Sequence, residues 1–206
     1  ADTRLAVWHI TEMEAFFLEK VPLSTAVLHP HKRLQHLAGR YLLSCLFPDF
    51  PVSSIAIAST RKPFLADEAF HFSISHCGDH AAAIVSRSQR VGIDIENITP
   101  RVVRIKEKFL GLSERAAWGL DVPDKASPHS AQAIAQLTLL WSAKEALYKW
   151  WGRGELDFQD HMKILPASVA ANGQLRAQFL KDNPLDLSLG YRLSDELSLV
   201  WLHTPQ

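Results

Sequence analysis

Two hydrophobic periods divide the chain. Short runs of strand length, apolar or alternating, occupy "LAVWHI" (5–10), "SIAIA" (54–58), "FHFSIS" (70–75), "HAAAIVSR" (80–87) and "RVGIDIE" (90–96). They return near the end as "HMKIL", "LRAQFL", "DLSLGYRL" and "ELSLVWL". Elsewhere apolar residues recur every three or four positions, the helical period. Leu34, Leu37, Tyr41 and Leu42 mark one helix, which ends before Pro48. A second runs from about Ala131 to Trp151 and is stopped by Gly152 and Gly154. At about 100° per residue, Leu140, Ala143, Leu147 and Trp151 form its core-facing stripe. Shorter helices are predicted at "TEMEAFFLEK", where Thr11 and Glu14 make a capping-box pattern, at "VVRIKEKFL", and at "SERAAWGL" with Ser113 as N-cap. "DVPDKASPHS" reads as a loop, and the few polar residues between 87 and 90 read as the turn of a β-hairpin. Strands and helix, then helices, then strands indicate an α+β fold in two layers. No internal repeat is visible in the sequence.

A chain of 206 residues is long enough for one large domain or two small ones, and its 47% hydrophobic and 21% charged residues are those of a globular protein. Lys plus Arg equals Asp plus Glu at 22 each, so no bulk positive charge suggests nucleic acid or a membrane surface as partner. Cys45 and Cys77 lack metal-type spacing and fit a reducing compartment. Cys45, among Leu42, Leu43, Leu46 and Phe47, is expected to be a small buried hydrophobe. Cys77 beside His76 makes no Cys–His dyad, because adjacent strand residues face opposite ways. No apolar run approaches the ~20 residues of a membrane span. "ADTRLAVWHI" has no signal-peptide pattern, so a cytoplasmic location is expected.

The chemistry concentrates in two segments. In "VGIDIE", Val91, Ile93 and Ile95 face one way, and Asp94 and Glu96 the other, with Gly92 leaving open space beside them. On the long helix Glu145 and Lys149 lie opposite the core stripe, with Trp141 one turn before and Lys144 nearer the flank. Taken alone, these are a polar strand face and an i,i+4 ion pair worth a few tenths of a kcal/mol. Taken together, three carboxylates make an oxygen-rich site suited to Mg²⁺, which turns their mutual repulsion into shared attraction. Lysines beside such a site would neutralise phosphate oxygens. A Mg²⁺-dependent nuclease could use the same groups, but a polyanionic substrate calls for a basic stripe that the neutral composition does not provide.

"VGIDIE" followed by "WSAKEALYK" resembles the paired signature of the phosphopantetheinyl transferases, Sfp-type branch. "RKPFL", "FSISHCG" and "FLGLSERAAW" are similar to weaker blocks of that family in the same order, so the resemblance spans about residues 60 to 155. Arg61 stands where the family has Gly, a residue that often marks positive φ. The resemblance implies a pseudo-symmetric α+β fold of two halves, here 1–97 and 98–206, with the active site at their junction. It implies a monomer rather than a trimer of half-size chains. The implied reaction is Mg²⁺-dependent transfer of the 4′-phosphopantetheine arm of coenzyme A to a serine of an apo acyl or peptidyl carrier protein. The by-product is adenosine 3′,5′-bisphosphate. Asp94, Glu96 and Glu145 would hold the metal, with Glu96 alternatively acting one layer out, and Glu145 is also the candidate base for the carrier serine. Lys144 and Lys149 would hold phosphate oxygens, and His76 with Ser75 would contact the coenzyme phosphates. Lys62 would help bind the 3′-phosphate, with Arg33 and Arg40 as further cations near it. Glu114 would order a lysine or the metal shell, and one of Trp150 and Trp151 would face the carrier.

Overall fold

The computed structural model, which describes residues 2–23, 27–121 and 130–205, divides its strands between two main antiparallel sheets, each covered by one long helix. The first half contains β1 (Thr3–His9), α1 (Glu14–Leu18), α2 (Pro30–Leu46), β2 (Ala56–Ile57), β3 (Pro63–Phe64), β4 (His71–Cys77) and β5 (His80–Ser86). The second contains β6 (Gln89–Asn97), α3 (Lys106–Phe109), α4 (Leu112–Ala117), α5 (Ala131–Trp151), β7 (Met162–Ile164), β8 (Asn172–Phe179), β9 (Leu185–Leu193) and β10 (Leu197–Pro205). The sheet orders are β1-β5-β4 and β6-β10-β9-β8-β7, and β2 pairs with β3 in a separate two-stranded sheet. In each half the first strand is an edge, the long helix follows it, and the last strand inserts between the first and its predecessor. β1-β5-β4 with α2 therefore matches β6-β10-β9 with α5. The fold is α+β and pseudo-symmetric, although only the order of elements repeats.

The hairpin expected between residues 80–87 and 90–96 does not form. β5 pairs with β4, with Ser75 opposite Ala82, and β6 pairs with β10 along its whole length. Ser86 turns the chain between the sheets: its hydroxyl accepts from the backbone N–H of Ser88 (3.3 Å) and Gln89 (3.2 Å). A division after residue 97 leaves β6 with the first half, whereas its backbone ladder lies in the second sheet. The seam between the sheets is instead bridged by side chains. Ser73 Oγ accepts from Ile93 N–H and Ser75 Oγ from Ile95 N–H, each at 3.2 Å, so β4 and β6 run side by side in parallel. Val91, Ile93 and Ile95 pack with Ala82, Ile84 and Leu199 on one face of that seam.

α5 has the bounds the sequence predicts. Ser130 Oγ accepts from Ala133 N–H at 3.2 Å, and Gly152 closes the helix at φ +70°. Leu140, Ala143 and Leu147 are fully buried. The stripe ends on Trp150 rather than Trp151, and Trp150 also donates to Thr204 Oγ1 (3.0 Å). Trp151 is half-buried, and both rings pack on Phe179. The space beside Gly92 is filled by α5 itself. A Cβ at 92 would overlap the Ala146 carbonyl and lie 2.8 Å from Trp150 N and Cβ. Only a residue without a side chain lets the strand lie this close to the helix.

Several local expectations change. α1 begins at Glu14 with Met13 as N-cap, and Thr11 donates its N–H to Glu12 (3.0 Å) rather than capping the helix. Gly111, not Ser113, precedes α4. Cys45 is exposed, since it falls on the outer side of α2 while Leu42, Leu43 and Leu46 face inward. Of the loop expected at 121–130, residues 122–129 lie outside the described residues. No helix among the described residues is long and apolar enough to cross a membrane.

Substituting Gly92 by Ala should cost about 2 kcal/mol or more, because the clash is with helix backbone that cannot rotate away. Thermal unfolding measures it, and an unchanged midpoint would disprove the close approach.

Candidate active site

Because α5 rests on β6 at Gly92, the side chains two and four residues further along β6 meet those of the helix. Asp94 is 2% exposed, and its Oδ1 accepts from Lys149 Nζ at 2.7 Å and from Ser75 Oγ at 2.9 Å. Lys149 also donates to Ser75 Oγ at 2.8 Å. Lys149 thus pairs across the junction with Asp94 and makes no ion pair with Glu145 on its own helix. Asp94 Oδ2 is buried and has no hydrogen-bond partner among the described residues. Glu96 accepts one hydrogen bond, from Trp141 Nε1 at 3.4 Å. Trp141 is itself stacked on Phe158 (5.6 Å).

The three carboxylates feel one another. Burial and then the charge of Asp94 push Glu96 up to about 7. Burial, Asp94 and Glu96 push Glu145 up to about 7, against the opposing pull of Lys149. Among the described residues no three carboxylate, imidazole or thiol groups are already gathered as a metal-coordinating set, and the near oxygen of Asp94 is taken by Lys149. The donor chemistry nevertheless suits a hard cation. It is all oxygen, it holds an unpartnered buried Oδ2, and it carries two carboxyls whose ionisation a divalent charge would favour.

The lysines five residues apart on α5 differ completely. Lys149 is 26% exposed at the junction. Lys144 is fully buried, and its ammonium donates to Phe109 O (2.5 Å), Glu114 Oε2 (2.6 Å) and Phe158 O (2.8 Å). All three of its donors are occupied, so the expected contact of Lys144 with phosphate is corrected to a structural tie that holds α3, α4 and the 158 segment to α5. Glu114 orders this lysine, and its other oxygen accepts from Ile164 N–H at 2.7 Å. Ser75, expected to touch coenzyme, is likewise buried and committed to Asp94, Lys149 and Ile95.

The cations of the first half also separate. Arg33 is held by Glu14 (2.8 Å) and Val27 O (3.3 Å), an ion pair on the flank of α2 rather than a free anion contact. Arg40 is 5% exposed, donates to His36 Nδ1 at 3.0 Å, has a buried Nε without a partner, and ion-pairs with no carboxylate among the described residues. Burial, then Arg40 and His76, push His36 down to about 4, which keeps it a neutral acceptor for Arg40. His36 went unnoticed in the sequence, although its place one turn before Arg40 is a usable signal. His76 is exposed, on the opposite face of β4 from Ser75. Cys77 faces inward, and burial with the nearby Glu96 and Asp94 pushes its thiol up to about 12, so it is no nucleophile.

A cleft of about 240 Å³ runs from these groups along the β2–β3 segment, lined by Lys62, Tyr148, Lys149, Glu145 and Ile74 among others. Lys62 lies directly against Gly152. Arg61 adopts φ +65°, the left-handed conformation for which the corresponding glycine is suited, at a cost of about 1 kcal/mol.

A family model described as the 4′-phosphopantetheinyl transferase superfamily matches residues 90–195, just over half of the chain and the span that holds Asp94, Glu96, Glu145 and Lys149. The chain belongs to this family. It is 36% identical over 124 residues to enterobactin synthase component D of Salmonella austin, covering 57% of this chain and 47% of that protein. It is 29% identical over 144 residues to the 4′-phosphopantetheinyl transferase AcpT of Salmonella typhimurium, covering 68% and 70%. Over 86 residues it is 37% identical to the 4′-phosphopantetheinyl transferase psf-1 of Bacillus pumilus, covering 42% and 34%. The alignments thus span about half the length of the enterobactin synthase relative and more of AcpT.

Two predictions separate structural from chemical roles. Lys144→Met should lower stability by about 3 kcal/mol, because it strands the buried Glu114 charge. A variant with a normal melting midpoint but weakened coenzyme A binding would return Lys144 to the phosphate site. Glu96 and Glu145 have folded pKa values raised above their unfolded ones, so they favour the folded state at low pH and lose that contribution as pH rises towards 7. A divalent ion such as Mg²⁺, held by these carboxylates, would relieve a repulsion that grows as Glu96 and Glu145 ionise beside Asp94. Its thermal stabilisation should therefore be larger at pH 8 than at pH 5.5, and an equal or reversed effect would contradict this charge arrangement.

Proposed function

We propose that this chain transfers the 4′-phosphopantetheine arm of coenzyme A to the serine hydroxyl of an apo acyl or peptidyl carrier protein and releases adenosine 3′,5′-bisphosphate. The observation that carries the reading is the meeting, at the junction of two pseudo-symmetric halves, of Asp94, Glu96 and Glu145 with Lys149 at the mouth of a cationic cleft. The names of the relatives support the same chemistry. Both halves of the junction come from one chain, which supports action as a monomer, and two unpaired cysteines accord with the cytoplasm.

Asp94, Glu96 and Glu145 are the residues that would hold Mg²⁺, and the ion when bound would neutralise diphosphate charge and align it for in-line displacement. Lys149 supplies a fixed positive charge for a phosphate oxygen where charge accumulates on the leaving bisphosphate. Glu145, held near pH 7 by burial and its acidic neighbours, is matched to accept the proton of the attacking hydroxyl. Arg40, with its buried Nε, and Lys62 provide cations for the remaining phosphate of the coenzyme. His76, whose imidazole burial and the Lys149 charge push below its ordinary value, offers a neutral ring N–H instead. Burial and Arg90 push Lys62 down to about 8, so its charge is favoured by an incoming anion.

The test is incubation with coenzyme A, Mg²⁺ and a panel of apo carrier proteins, read by intact mass. A carrier should gain one phosphopantetheine arm. Asp94→Ala should lower the rate on the order of 100-fold or more while leaving the circular dichroism spectrum intact. No mass gain across the panel, together with cleavage of a nucleic acid substrate, would overturn the reading in favour of a nuclease.

A further inference from the structure

A second cleft, of about 270 Å³, adjoins the candidate coenzyme cleft and shares Lys62, Pro63, Phe72 and Gly152 with it. Lys62 is the cation common to both, wedged against Gly152 at the end of α5. Arg90, from the start of β6, and Arg153, just beyond α5, share the second cleft with it. The Arg90 guanidinium lies 5.2 Å from the Trp150 ring centre and that of Arg153 5.0 Å from the Trp151 ring centre. None of the three cations forms an ion pair with a carboxylate among the described residues. Burial and Arg153 hold the Arg90 charge down, and burial and Arg90 do the same to Lys62. Glu68 is the acidic side chain of the lining, and His71 lies beside it. Glu68 favours the charge on Arg90, but one carboxylate against three cations leaves an excess of two positive charges.

The way the guanidiniums are held matters as much as their charge. Their donors lie in the plane of the group, so resting a face on an indole occupies the face and leaves the N–H edges free. Two such edges with one ammonium form a convergent set suited to a tetrahedral dianion. The lining also carries the apolar side chains of Leu65, Phe70 and Phe64, the last 39% exposed. We infer that this second cleft binds a compact phosphate monoester, with the phosphate on Arg90, Arg153 and Lys62 and the apolar body against Phe64. None of the candidate catalytic carboxylates lines it. If the neighbouring cleft holds coenzyme A, as proposed above, the shared Lys62 couples the two sites. An anion on one side weakens binding on the other by the same factor in both directions.

Calorimetric titration of phenyl phosphate into the coenzyme-free protein tests the site directly, with inorganic phosphate and benzoate as comparators. One saturable site is expected, tighter for phenyl phosphate than for either comparator. Arg153→Gln, at an exposed position, should weaken it at least about tenfold while the melting midpoint and turnover at saturating coenzyme A stay unchanged. Arg90→Gln should weaken it comparably. No saturable binding, binding indifferent to Arg153→Gln, or inorganic phosphate binding as tightly as phenyl phosphate would overturn the site. Saturating coenzyme A should raise the dissociation constant of phenyl phosphate, and no change would overturn the coupling. The direct titration needs no coenzyme, so its failure is separate from any failure of the transferase reading.

Discussion

The contact between Gly92 and the backbone of α5 decides where every other group in the site can stand. A strand packed on a helix at ordinary separation would leave Asp94 and Glu96 facing Glu145 across a layer of side chains. Removing the side chain at 92 brings the strand against the Ala146 carbonyl, and the acidic positions beyond it fall beside the next turn of the helix. The site is therefore a product of packing. Carboxylates that repel are forced together by apolar contacts on the other faces of the same elements, Ile93 and Ile95 on β6 and Leu140, Ala143 and Leu147 on α5.

The seam between the sheets adds a second constraint. β4 and β6 are joined through Ser73 and Ser75 and not through a backbone ladder, and Ser75 is also the hydroxyl between Lys149 and Asp94. One side chain thus closes the junction and orients the pair within it. The first half contributes β4 with its exposed His76 and α2 with Arg40, and the second contributes the carboxylates. A site built this way exists only when both halves are in register.

Much of this was legible in the sequence because the decisive signals are local. Gly152 ends α5, the alternation in "VGIDIE" sorts Asp94 and Glu96 from Ile93 and Ile95, and the spacing of Glu145 and Lys149 puts both on one side of the helix. What escaped depends on partners distant in the chain. The hairpin between β5 and β6 is plausible locally, yet β10, about a hundred residues later, takes β6. Lys144 has the charge of a phosphate ligand, but its direction leads to Glu114 and two backbone carbonyls. Arg33 and Arg40 lie on the same helix, but Arg33 is ion-paired with Glu14 whereas Arg40 is buried with its Nε left over. Residue type announced charge in each case, and direction decided its use.

The central claim is that three acidic side chains from β6 and α5 serve one divalent ion bound with coenzyme A. A crystal structure of the protein with coenzyme A and Mn²⁺, with the metal located by its anomalous signal, tests it most directly. The account predicts a single ion bonded to oxygens of Asp94 and Glu145, with Glu96 bonded to the ion or to its water, and to the coenzyme diphosphate. An ion bound elsewhere on the chain, with Lys149 still seated on Asp94 and the diphosphate apart from both, would contradict it.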